Sequence, residues 1–118
     1  MIADPAQRVI VAESGGALAG SVTISDRGRG TAYLGMLAVS PDAQARGVGR
    51  ALIARAEAEA AASFAATTME MTVISRRTEL IAWYERRGYR DTGERRPFPV
   101  DVPEAPGLEM VVLARRIG

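Results

Sequence analysis

Apolar and polar positions change period several times along the chain, and each change marks an element. Arg8 to Glu13 alternates around Val9, Ile10 and Val11, a β-branched run that predicts a strand. Ser14-Gly15-Gly16 is a turn signal, and Ala17 to Ser25, with Val22 and Ile24, predicts the hairpin partner. Asp26 to Gly30 predicts a second turn and Thr31 to Val39 a third strand, whose continuous apolar end implies burial on both faces. Gly35 inside that strand marks a bulge or a close backbone approach. From Gly47 to about Ala62 the period becomes helical: Val48, Leu52, Ile53, Ala56 and Ala60 share one face, with Arg50, Arg55, Glu57 and Glu59 largely opposite.

Met69 to Ser75 alternates again and predicts a strand, parallel to the third and joined to it by a right-handed βαβ crossover. Thr78 is the expected N-cap of a second helix over Glu79 to Arg87, with Gly88 as its C′ residue. Tyr89 to Thr92 begins another strand. Arg95 to Gly107 contains Pro97, Pro99, Pro103 and Pro106, which predicts a loop, and Leu108 to Ala114 closes the chain as a final strand. The fold class expected is α/β or α+β: one domain over residues 1–118, built on a mixed, mostly antiparallel twisted sheet with two main helices.

Composition narrows the chemistry. The chain is 47% hydrophobic and 25% charged with a net charge of +1, so nothing in its charge favours nucleic acid or a membrane surface. It contains no His and no Cys, which removes imidazole bases, thiolate nucleophiles, disulfides and ordinary zinc sites; no metal is expected. Residues 1–8 lack the pattern of a signal peptide and no apolar run is long enough to span a bilayer, so a cytoplasmic protein is expected. All fifteen basic residues are Arg, so no lysine-dependent mechanism is available.

The stretch Gln44-Ala-Arg-Gly-Val-Gly-Arg-Ala51 follows a strand and opens a helix. Such a loop offers unpaired N–H groups at the positive end of a helix dipole, a natural seat for phosphate or pyrophosphate. Two glycines there permit close approach and otherwise weaken the helix; a plain strand-to-helix turn is the structural alternative. The nucleotide P-loop is excluded because it requires Gly-Lys-Ser/Thr. The dinucleotide fingerprint is excluded because Leu52 stands where its third small residue belongs.

Gln44-x-x-Gly47-x-Gly49, after Met36-Leu-Ala-Val39-x-Pro41, resembles the acetyl-CoA loop of the GNAT superfamily of acyltransferases. Leu80-Ile-Ala-Trp-Tyr84-Glu-Arg-Arg-Gly88-Tyr89 resembles that family's later helix and its Phe-Tyr-x-x-x-Gly-Phe ending, and the resemblance runs over about residues 8 to 115. It implies a βαβ acetyl-CoA unit, acetyl-CoA as co-substrate, and transfer of the acetyl group to a primary amine of a small molecule or peptide. It further implies that the N–H groups of Arg46, Gly47, Val48, Gly49, Arg50 and Ala51, with Gln44, hold the pyrophosphate. The Arg46 and Arg50 side chains add bonds to phosphate or are simply solvated. Leu37, Ala38 and Val39 offer main-chain groups to the pantetheine arm, their side chains belonging to the core.

Tyr84 matches the tyrosine that protonates the leaving thiolate, its structural alternative being a core aromatic beside Trp83. No carboxylate occupies the matching early third strand, Thr31-Ala-Tyr33, which leaves Glu13, Glu70, Glu79 or solvent as the base. Tyr33 either lines the site or fills the core. Arg77 stands where the family often has a cofactor-contacting Asn, and it reaches the cofactor or lies exposed. Arg95-Arg-Pro-Phe-Pro99 either closes over the acceptor or is an exposed, proline-stiffened loop.

Family members usually begin with a strand and two helices before the hairpin that here starts at Arg8, so the resemblance implies an abbreviated form. A homodimer that covers the edge strand, or a truncated gene start, is the corresponding expectation. A CoA-binding sensor without turnover and a non-enzymatic subunit are the competing functional readings.

Overall fold

The computed structural model describes residues 6–44, 46–99, 103–104 and 106–118. Its elements are β1 (Gln7–Ser14), β2 (Ala17–Gly28), β3 (Thr31–Val39), α1 (Pro41–Gln44), α2 (Val48–Phe64), β4 (Thr68–Ile74), α3 (Thr78–Glu85), β5 (Arg90–Pro97) and β6 (Glu109–Arg116). The class is the expected α+β one, with antiparallel pairing between β1 and β2, β2 and β3, and β5 and β6. Contacts divide the chain into one unit of residues 1–69 with 116–118, and a second of residues 70–115.

The first unit is the three-strand meander with α2 packed mainly on β2. Val22 and Ile24 of β2 and Ala32 and Leu34 of β3 are buried, as are Leu52, Ile53, Ala56 and Ala60 of α2. The apolar stripe read at helical spacing is therefore the face that packs. Gly15 and Gly16 have φ of 59° and 82°, the left-handed pair a two-residue hairpin turn requires, and Ser14 opposite Ala17 closes the hairpin.

The third strand departs from expectation. It is not buried on both faces: Ala32 and Leu34 are buried, while Met36 and Ala38 are exposed. Ser21 pairs with Ala38 but Thr23 with Gly35, so β3 carries one residue more than β2 across this interval. Met36 takes up the irregularity with φ of 54° and is 83% exposed, a left-handed conformation uncommon for a side chain of its size. The expected bulge therefore exists, and its left-handed residue is Met36, the neighbour of Gly35.

Ser40-Pro41-Asp42 opens the one-turn helix α1, with Pro41 at a first helical position and the Ser40 carbonyl accepting from Ala43 and Gln44.

In the second unit β6 is buried at Val111, Val112 and Leu113, and β4 at Met71 and Val73. The N-cap of α3 is Arg77 rather than Thr78, and no side chain caps it. At the other end Gly88 has φ of 96°, Gly88 N–H donates to the Glu85 carbonyl and Tyr89 N–H to the Tyr84 carbonyl, the paired bonds of a Schellman termination.

The proline-rich stretch is corrected in part. Arg95, Arg96 and Pro97 are strand, paired with Val111, Met110 and Glu109, and Pro97 ends the strand where its missing N–H is tolerated. Between Asp91 and Arg95 two extra residues bulge out of β5 around Gly93, whose φ is 87°. Residues 100–102 and 105 of the expected loop, and residues 1–5, lie outside the described residues.

Candidate active site

The glycine loop in the first unit is held by two side chains. The Gln44 carboxamide Nε2 donates to the Val39 carbonyl at 3.2 Å, tying the loop to the end of β3. Arg46 Nη1 donates to Ser14 Oγ at 3.2 Å, tying it to the β1–β2 hairpin. Between these ties and α2, Gly47 adopts φ 76° and ψ 17° as the N-cap, and among the described residues no atom beyond its chain neighbours lies within 4 Å of where its Cβ would stand. The glycine therefore answers a conformational need and leaves open space beside the helix start.

Two of the expected cradle donors are engaged within the loop. Arg46 N–H donates to the Ala43 carbonyl and Ala51 N–H to the Gly47 carbonyl, so neither is available. Among the described residues the N–H groups of Gly47, Val48, Gly49 and Arg50 have no acceptor. Those last three open a helix of 17 residues, where the dipole reinforces them. N–H groups without an acceptor among the described residues, beside an open flank at a helix start, make a geometry suited to an anion.

Upstream, Leu37 and Val39 are half-buried and Ala38 exposed. Their side chains are not in the core as expected, because the Met36 irregularity has changed the strand's register just before them. Tyr33 is half-buried, with the Arg27 guanidinium 4.4 Å above its ring centre.

In the second unit Tyr84 is buried on α3 at 6% exposure. Trp83 and Tyr89 meet it edge to face, with ring centres 5.1 Å and 6.1 Å away. Burial raises its pKa above the ordinary phenol value, and the positive charge of Arg77 works against that rise. The phenol is thus protonated at neutral pH, the state an acid catalyst needs.

Arg77 Nε also donates to Glu79 Oε1 at 3.0 Å, with both side chains exposed. The carboxyl of Glu79 is held below its ordinary range by its own backbone N–H first and by Arg77 second. Glu70 accepts from Arg96 Nη2 at 2.8 Å, and Arg96 Nε donates to Glu94 at 2.8 Å. Glu13 is exposed on β1. Ser14 and Gly20 were not singled out by sequence reasoning, since their contacts reach residues 32 and 18 or more positions away. Among the described residues no group of three or more metal-ligating side chains converges, and no helix is long and apolar enough to cross a membrane.

A family model described as the acetyltransferase (GNAT) family matches residues 1–89. A search of curated protein sequences returned no match. Solved structures share the fold. The ribosomal-protein-S18-alanine N-acetyltransferase of Escherichia coli is 22% identical, with a TM-score of 0.79 over 96% of this chain and 70% of its own. A nourseothricin acetyltransferase is 25% identical, with a TM-score of 0.84 over 97% of this chain and 67% of its own. A GNAT family acetyltransferase of Elizabethkingia anophelis with acetyl-CoA bound is 18% identical, with a TM-score of 0.79 over 95% of this chain and 77% of its own.

Proposed function

Because the chain belongs to the GNAT family of acetyltransferases, we propose that it transfers an acetyl group from acetyl-CoA to a primary amine. The observation that carries this reading is the row of N–H groups from Gly47 to Arg50, without an acceptor among the described residues, at the start of α2. They would hold the CoA pyrophosphate, with the main chain of Leu37, Ala38 and Val39 meeting the pantetheine arm. A related fold crystallised with acetyl-CoA supports the co-substrate, and one named as an N-acetyltransferase supports nitrogen as the acceptor atom.

The amine attacks the thioester carbonyl directly, since the sequence has no Cys or His to carry the acetyl group. The tetrahedral intermediate collapses, the C–S bond breaks, and Tyr84 gives its proton to the departing thiolate. Solvent has by then taken the ammonium proton of the intermediate, and afterwards it reprotonates Tyr84: Glu70 and Glu79 are engaged with arginines, and Glu13 is open to water. The test is thiol release from acetyl-CoA across a panel of small amines, amino acids, aminoglycosides and peptide N-termini. Turnover in the wild type that falls about 100-fold in Tyr84→Phe supports the reading.

The ion-paired carboxylates also favour a second reading, a CoA-binding sensor without turnover. CoA binding with no thiol release on any acceptor would establish it. The proposal places the enzyme in the cytoplasm as a homodimer. Among the described residues β1 pairs only with β2, and its Val9 and Val11 are 68% and 53% exposed. Antiparallel pairing of two copies of β1 about Ile10 would set each Val9 against the partner's Val11 and each Gln7 against the partner's Glu13.

A further inference from the structure

We propose that Ser14 is a positioning residue for phosphate recognition: through its hydroxyl it holds the guanidinium of Arg46, the residue that precedes the Gly47–Arg50 donors, without cancelling its charge. The inference rests on reading that loop as the CoA site.

Three observations lead to it. Ser14 sits at the closing pair of the β1–β2 hairpin, opposite Ala17, so its position is fixed by a two-glycine turn. Its Oγ accepts from Arg46 Nη1 at 3.2 Å across 32 positions of sequence. Finally, among the described residues Arg46 meets no carboxylate, as is true of most arginines of this chain, so its charge is not neutralised by an ion pair.

The choice of partner matters chemically. A carboxylate at position 14 would hold the guanidinium more firmly and neutralise it. A hydroxyl orients it and leaves its positive charge for an anion. The guanidinium has five N–H donors, so those not directed at Ser14 remain for phosphate oxygens. The ligand chemistry is a phosphate, either the pyrophosphate or the 3′-phosphomonoester of CoA. The hairpin turn thereby joins a site whose other parts come from the strand end and the helix start.

Titration calorimetry with CoA, dephospho-CoA and pantetheine tests the assignment on wild-type, Ser14→Ala, Ser14→Thr, Ser14→Asp and Arg46→Ala proteins. Ser14→Ala is expected to weaken CoA about three- to tenfold, and Ser14→Thr to restore it. Ser14→Asp is expected to weaken CoA at least as much as Ser14→Ala while leaving the unfolding midpoint of the free protein unchanged or raised. A purely structural tie would instead be preserved by the aspartate. Pantetheine, which has no phosphate, is expected to bind all variants alike. Dephospho-CoA divides the sources: if it loses affinity as CoA does, Arg46 serves the pyrophosphate, and if it is indifferent, the 3′-phosphate.

In the Ser14→Ala/Arg46→Ala double variant the loss is expected to equal that of Arg46→Ala alone. Additive losses, or CoA affinity unchanged in Ser14→Ala, overturn the inference and leave the CoA reading standing. A wild-type protein that binds no CoA overturns both. In turnover with acetyl-CoA, Ser14→Ala is expected to raise KM and leave kcat unchanged.

Discussion

Gln44 and Val39 are joined side chain to main chain: the carboxamide nitrogen donates to the carbonyl of the last β3 residue at 3.2 Å. The glutamine of the loop motif is therefore a brace between strand and loop. Its side chain is exposed, so the bond contributes little to global stability. Gln44→Ala is expected to lower stability by less than about 1 kcal/mol and to weaken CoA several-fold, because the loop then has to be ordered at binding. Urea unfolding and calorimetry on the same variant check the two halves of that statement.

Gly47 separates conformation from space. Its φ of 76° disfavours a side chain, yet among the described residues nothing beyond its chain neighbours lies within 4 Å of an added Cβ. Gly47→Ala is expected to cost about 1–2 kcal/mol from backbone strain alone. Gly47→Asn, which tolerates the left-handed region better, is expected to be the more stable of the two variants. It is nevertheless expected to bind CoA about tenfold less tightly than wild type, its side chain filling the flank proposed for the pyrophosphate. Equal CoA affinity in wild type and Gly47→Asn would show that the open flank is not the ligand's.

Gly20 presents the opposite case, a glycine required by packing. A Cβ there would stand 2.8 Å from the Ala38 carbonyl oxygen and 2.9 Å from Leu52 Cδ1. The Leu52 methyl has some room to rotate away, but the carbonyl belongs to the paired strand. Gly20→Ala is expected to destabilise by about 1–3 kcal/mol. Leu52→Ala in the same background should recover part of that loss, which paired urea titrations would reveal as non-additivity.

What the sequence made legible was whatever is encoded over a few neighbouring residues. The α2 stripe from Val48 to Ala60, the Gly15-Gly16 turn and the Gly88 termination each need only local spacing or a local φ. The loop motif was legible for the same reason. The errors lie where tertiary pairing overrode a local signal. Pro97 suggested a loop but is accommodated at the end of β5 by pairing with Glu109. The apolar run ending β3 suggested two buried faces, yet the Met36 irregularity gives it exposed positions. The side-chain ties of Ser14 to Arg46 and of Arg96 to Glu70 span 32 and 26 residues and leave no local trace.

The apolar row on β1 makes self-association measurable. Val9 and Val11 are exposed on a strand paired on one side only among the described residues. Multi-angle light scattering over a concentration series is expected to give a dimer for wild type and a monomer for Val9→Lys/Val11→Lys, since like charges would face each other across the proposed register. A wild-type monomer at every concentration would remove the dimer.

Tyr84 offers a test of the acid assignment that does not depend on knowing the acceptor. Burial holds its pKa above that of an unfolded phenol, and Arg77 opposes the rise. For an acid whose folded pKa is raised, the folded state binds the proton more tightly. The associated stability is thus intact below the unfolded value, about 10, and is lost as pH climbs through the folded one. Wild-type stability is expected to fall across that alkaline window, and Tyr84→Phe to remove part of the fall. Removing the opposing charge in Arg77→Ala should push the Tyr84 titration to still higher pH. The difference in phenolate absorbance between each protein and its Tyr84→Phe counterpart isolates that group from the other two tyrosines. If turnover is measurable, its high-pH limb should move in the same direction, because Tyr84 can protonate the thiolate only while it holds its own proton. An absorbance titration that moves with Arg77→Ala while the limb of the rate profile stays fixed would assign proton donation to another group.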